Sequence, residues 1–135
     1  MKLSIATPDR VVASKVAIQN ITVPGGEGEM TILSGHASYI GTIGIGVFSF
    51  DQENGTKLAG SIAHGFIQIH NDEVIVLADR IELSTEIDVE RARKAQVKAE
   101  EALKAKAHFD EDHAKWIAKL ERAKMRQLAA HYLPH

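Results

Sequence analysis

The chain has 135 residues, 44% hydrophobic and 25% charged, with a formal net charge of -2 and no cysteine. This balance excludes a strongly basic nucleic-acid binder, and the lack of cysteine excludes disulfides, thiolate zinc sites and cysteine nucleophiles. No apolar run approaches the roughly 20 residues of a membrane span, and Met1–Ile5 has neither signal nor transit character, so a protein of the cytosolic side with no span of its own is expected.

All 10 glycines lie at or before Gly65. Residues 1–85 hold 5 Lys/Arg against 9 Asp/Glu, and residues 86–135 hold 11 against 9. The first half shows short apolar runs broken by turn residues: Val16-Ala17-Ile18, Ile21-Thr22-Val23, Met30–Leu33, Val47–Phe50, Phe66–Ile69 and Val74–Leu77. Such runs read as strands. Two hairpin tips are expected, at Asn71-Asp72 and at Asn54-Gly55, because Asn, Asp and Gly tolerate the positive φ of tight turns. About ten short strands in this length make a β-sandwich or flattened barrel.

Pro24–Glu29 lacks the Gly-Lys-Ser/Thr of a phosphate loop, and Gly41–Gly46 lacks the dinucleotide spacing, since Ser49 stands where a glycine is needed. Both stretches read as turns. The seven histidines, His36 in a loop and His108, His113, His131 and His135 around the C-terminal half among them, show no helix-face pair backed by a carboxylate. No metal is expected, and no Ser/His/Asp set or flanked carboxylate pair marks a catalytic centre.

After Ile87 the pattern becomes helical. Alanines at 92, 95, 99 and 102 form one stripe. Glu90–Lys94 and Glu100–Lys104 have favourable i,i+4 spacing, worth a few tenths of a kcal/mol each. Either Thr85 or Asp88 caps the start. His108–Asp112 breaks the pattern and offers an acidic cap, a second helix runs from about Glu111 to Tyr132, and Pro134 ends it. The domains expected are therefore a β-sandwich over 1–85 and an antiparallel two-helix hairpin over 86–135. With the turn centred near 109, Arg91 falls opposite Arg126 or Gln127, and Arg122 opposite Gln96. Arg91, Arg122 and Arg126 then gather at the open end of the hairpin, near the β body. They form either a solvated basic face or an anion site; Arg122 and Arg126 repel as i,i+4 like charges unless an anion lies between them.

The ordered set of Leu3–Pro8, Glu27-Gly28-Glu29, Gly35-His36-Ala37, Gly65-Phe66, Val74–Asp79 and Ile87-Asp88-Val89-Glu90-Arg91-Ala92 resembles the epsilon subunit of bacterial F-type ATP synthase over nearly the whole chain. Ser34 replaces a common proline, and Ser38-Tyr39-Ile40 replaces a Pro-Leu-Leu-like run. The resemblance implies a ten-stranded β-sandwich with a helical hairpin, acting as a non-catalytic central-stalk rotor subunit. Such a subunit is peripheral at the cytoplasmic face of the bacterial cell membrane. Its β domain binds the gamma subunit and the c-subunit ring. Its hairpin extends along gamma into the alpha and beta subunits to oppose ATP hydrolysis. No cofactor is required. In some members the folded hairpin binds regulatory ATP, which here implies Ile87, Asp88, Arg91 and Ala92 with Arg122 and Arg126, and Glu82 as a further contact. Lys98 stands where ATP-binding members have another arginine, so a point charge replaces a planar fork. A stand-alone ATP-sensing module is the alternative reading.

Overall fold

The computed structural model describes residues 1–105 and 113–131. Its strands are β1 (Lys2–Ala6), β2 (Val11–Gly25), β3 (Gly28–Leu33), β4 (Tyr39–Gln52), β5 (Lys57–His70) and β6 (Glu73–Leu83). They follow the order β1-β6-β5-β4-β2-β3, and β1 also pairs with β2. Five strands thus close on themselves, with β3 at the margin. Every pairing is antiparallel except β1 with β6. This is the expected flattened β-sandwich.

The strands are fewer and longer than the ten short ones expected. β2, β4 and β5 run for 15, 14 and 14 residues, so runs such as Val16–Ile18 and Ile21–Val23 belong to one strand. Breaks in the apolar pattern mark bends and bulges here, not ends. The β2–β4 register shifts between Ile18 and Asn20 and again between Thr22 and Gly25, which bends the strand without stopping it. Gly41–Gly46, expected to be a turn, lies inside β4. Its glycines serve close approach: a Cβ at Gly46 would lie 2.7 Å from the Pro24 Cβ.

The predicted hairpin tips are present. His70 pairs with Glu73 across Asn71 and Asp72, whose φ angles of 49° and 61° are those of a type I′ turn. Gly55, at φ 91°, turns β4 into β5. Alternate residues of all six strands point inward. Leu3, Ile18, Ile21, Phe48, Phe50 and Ile67 are among the fully buried side chains, and each gains about 1.5–3 kcal/mol from leaving water.

A short 3-10 turn, Ser84–Glu86, leads from β6 to α1 (Val89–Ala105), and α2 (His113–Ala130) follows. The buried Ser84 hydroxyl donates to the Ala59 carbonyl at 2.8 Å and fastens this turn to β5. Of the two cap candidates Asp88 is the one used: the Arg91 N–H donates to its Oδ1 at 3.1 Å. Glu90 pairs with Arg93 at 2.8 Å, three residues on, and not with Lys94 as its spacing indicated. The helices meet through small residues, with Ala92, Ala99 and Ala123 buried, while the buried Ala129 shares the helix face of Arg122 and Arg126. The expected interhelical break at 108–112 and the Pro134 stop lie outside the described residues. α2 lies against β4, β5 and the 3-10 turn, while α1 packs chiefly on α2.

The tightest backbone approaches join β5 to β6 at Gly60 and Gly65; a Cβ at Gly60 would overlap the Glu82 carbonyl oxygen and lie 2.9 Å from the Phe48 ring. Gly60→Ala should therefore lower unfolding free energy by about 1–3 kcal/mol through forced strand separation. Urea denaturation of the variant against the unaltered chain measures it.

Candidate functional site

Where the hairpin base meets the sandwich there is a cleft of about 550 Å³. The β1–β2 connection brings Thr7, Asp9 and Arg10 to it, and β6 brings Asp79, Arg80, Ile81 and Glu82. Arg91 and Ala95 come from α1, and Arg122 and Arg126 from α2. The three arginines expected to gather do so, and Glu82 joins them. Their register differs from the expected one. Gln96 faces Gln127, whose Nε2 donates to its Oε1 at 2.6 Å, so facing residues sum to more than the assumed turn centre gave. Ile87, Asp88 and Ala92 do not line the cleft. Ile87 and Ala92 are buried and Asp88 caps α1, so these three fix the direction in which Arg91 leaves the helix.

Two arginines are paired. Arg126 Nε lies 2.5 Å from Glu82 Oε1, and its terminal nitrogen donates to Oε2 at 3.2 Å. The Nε–H points off the short line, so that contact is an ion pair more than a directed hydrogen bond. Arg10 makes a fork to Glu86, with both N–H···O distances 2.7 Å. Glu86 also accepts the Leu83 N–H at 3.0 Å. Arg10 thus ties the β1–β2 connection to the 3-10 turn.

The other three have no such partner. Among the described residues no carboxylate lies within ion-pair distance of Arg80, Arg91 or Arg122. Burial, and then the charges of Arg80 and Arg126, hold the Arg122 guanidinium below its usual pKa, with Glu82 opposing. Lys119, its ammonium 4.6 Å from the Trp116 ring centroid, is also depressed, by partial desolvation first and then by Lys115, Lys98, Arg122 and Arg80. The cleft is an electropositive field with three carboxylates at its edge, Asp9, Asp79 and Glu82, one of them already engaged. That arrangement suits an anion. Among the described residues no group of three or more His, Cys, Asp or Glu side chains is placed to hold a metal ion, and no helix is long and apolar enough to cross a membrane.

Sequence reasoning overlooked Arg10 and Arg80. Nothing in the local pattern marks Arg10, which reaches the 3-10 turn only through tertiary folding. Arg80 carried a readable signal, because a residue two before Glu82 in a strand shares its face.

A second surface lies on the sandwich. Phe66 pairs with Thr42 on one side and Leu77 on the other, and Gln68 pairs with Ile40 and Ile75. Period-two alternation puts all of these on one outer face. Ile40, Phe66 and Leu77 are 72%, 60% and 54% exposed, an apolar patch of the kind that a partner covers. Beside it, the loop before β4 is held by Asp72, which accepts from the Gly35 N–H at 3.2 Å and the Ser34 hydroxyl at 3.1 Å. Ser34, which departs from the resembled pattern, has a direct use here.

Sandwich, hairpin and cleft together define a class of protein. Residues 1–84 match the family model for the beta-sandwich domain of the ATP synthase Delta/Epsilon chain. The ATP synthase epsilon chain of Trichlorobacter lovleyi is 35% identical over 130 residues, covering 96% of this chain and 93% of that one. That of Symbiobacterium thermophilum is 37% identical over 136 residues, covering 100% and 96%. A chain from the cryo-EM structure of Euglena gracilis mitochondrial ATP synthase aligns with TM-score 0.83 at 25% identity, over 97% of this chain and 81% of its own. One from the Tetrahymena thermophila central stalk/c-ring structure shares the fold, at TM-score 0.61 and 14% identity over 96% of both. The chain belongs to the ATP synthase epsilon-chain family.

The Arg10 fork holds the Glu86 carboxyl below its usual range, helped by the Leu83 amide and opposed by desolvation. A carboxylate depressed in the folded state stabilises above its unfolded pKa, and the stabilisation fades as pH falls through the folded value. The stability gap between the unaltered chain and Glu86→Gln should therefore be constant above about pH 5 and close progressively on further acidification. Urea midpoints from pH 3 to 7 test this.

Proposed function

We propose that this epsilon chain is a non-catalytic central-stalk subunit whose hairpin, residues 86–135, is a regulatory unit held against the sandwich, residues 1–85, by ATP bound in the cleft. One observation carries the ATP reading: Arg91 and Arg122, from different helices, enter the cleft with no carboxylate partner among the described residues, beside the half-buried Arg126. A polyphosphate relieves their repulsion and supplies the acceptor geometry that guanidinium forks match. Glu82 orients Arg126. The Asp88 cap and the buried Ile87 and Ala92 set the start of α1, and through it Arg91.

The exposed face around Ile40, Phe66 and Leu77 supports the partner assignment. On this reading it seats against the gamma subunit, the loop tied by Asp72 meets the c-subunit ring, and the released hairpin reaches the alpha and beta subunits. The complex sits at the cytoplasmic face of the bacterial membrane, with the chain as a peripheral part and no cofactor needed for its role. The stand-alone sensor is disfavoured, because the relatives named ATP synthase epsilon chain align along almost the whole of their length.

Calorimetric titration of the chain with ATP should show saturable binding, weakened at least about tenfold by Arg122→Ala and unchanged by the remote Lys2→Ala. No saturation below about 1 mM would reject the ATP site. In the assembled ATP synthase, deletion of residues 87–135 should raise the rate of ATP hydrolysis. An unchanged rate would reject the hairpin as an inhibitory arm while leaving the stalk assignment intact.

A further inference from the structure

Arg80 and Glu82 stand two residues apart in β6, on one face and about 6.7 Å apart along the strand. Arg122 and Arg126 stand four apart on one face of α2, about 6 Å along its axis. The two pairs match in spacing and differ in charge. At one rung Glu82 meets Arg126, opposite charges in contact. At the next, Arg80 and Arg122 line the same cleft as two cations, neither with a carboxylate partner among the described residues. Lys119 continues the row three residues before Arg122, and it too feels the charge of Arg80.

A rung of like charges at the edge of a protein interior is unfavourable unless an anion lies between them. Asp9 and Asp79 also line the cleft, but neither is within ion-pair distance of either arginine, and their charge disfavours a ligand displaced toward the β1–β2 connection. The space between Arg80 and Arg122 is where negative charge is best placed. We propose that Arg80 is a phosphate-binding residue of this cleft, and that a bound phosphate chain bridges sandwich to hairpin through Arg80 and Arg122.

This rests on the ATP reading above and extends it to the β body. The cations assigned there, Arg91, Arg122 and Arg126, all belong to the hairpin. A ligand held by those three alone would bind a detached hairpin as well as a docked one, and would not favour docking except through Glu82. With Arg80 included, the anion has more partners in the docked form. Docking and binding then strengthen each other by the same factor. The chemistry recognised is a run of linked phosphates, since a single phosphate at the nucleoside end makes fewer simultaneous contacts across the rung.

The test is calorimetry on the full chain with ATP, inorganic tripolyphosphate and AMP at low and high salt. Arg80→Gln should weaken ATP and tripolyphosphate about tenfold each, flatten the salt dependence, and leave AMP nearly unchanged. Arg80→Lys should recover part of the loss, as a point charge without the fork. Arg80 is exposed, so its replacement leaves the core intact, and Lys2→Gln serves as the remote control. Undiminished ATP affinity in Arg80→Gln would overturn this inference alone. Equal weakening of AMP would place Arg80 beside the nucleoside and overturn the bridge. No ATP binding by the unaltered chain would overturn both this and the ATP reading.

Discussion

The pairing of Glu82 with Arg126 fixes how the two halves of the molecule face each other. Glu82 is in the last strand and Arg126 near the end of the last described helix, with side chains 35% and 15% exposed. A half-buried ion pair of this kind adds little net stability, but removing one member leaves an uncompensated charge and costs much more. It therefore acts as a register mark. α2 lies where its arginine meets that carboxylate, and the positions of Arg122, Arg91 and the cleft follow from it.

The link between the halves is controlled separately. The Ser84 hydroxyl is bound to β5, Glu86 is gripped by Arg10, and Asp88 caps α1. Three successive polar contacts on alternate residues give the connection a defined path. The hairpin base is held by polar contacts at its edge, while the sandwich is held by buried aliphatic and aromatic side chains. These two kinds of attachment respond to different conditions: salt and anions act on the first, temperature and denaturant mainly on the second.

Local chemistry was legible in the sequence wherever a short-range rule decided the outcome. The Asn71-Asp72 turn, the Asp88 cap and the alanine stripe at 92 and 99 each follow from residues within a few positions of one another. The strand count was not legible, because a glycine or polar interruption looks the same whether the strand ends or bends. Gly46 shows why: its missing Cβ makes room for Pro24, a residue 22 positions earlier. The helix register was off for a similar reason. The assumed turn centre fell on residues where periodicity says nothing, and the Gln96–Gln127 contact depends on how two alanine surfaces nest. Within the cleft, charge identity was readable and pairing was not. Which arginine is satisfied and which is free depends on Glu82 and Glu86, set by folding.

The alanine seam between α1 and α2 bears on speed as well as on fit. Ala92, Ala99 and Ala123 have no side-chain rotamers, so closing these contacts freezes no side-chain torsions of their own, and the ordering falls on neighbours such as the Gln96–Gln127 pair. A seam of leucines would hold harder, yet each re-closure would require several side chains to find matching wells together. Alanines need only approach. On the proposed reading of a hairpin that opens and closes, such contacts re-form without a search among side-chain wells, which lowers the barrier to repeated use.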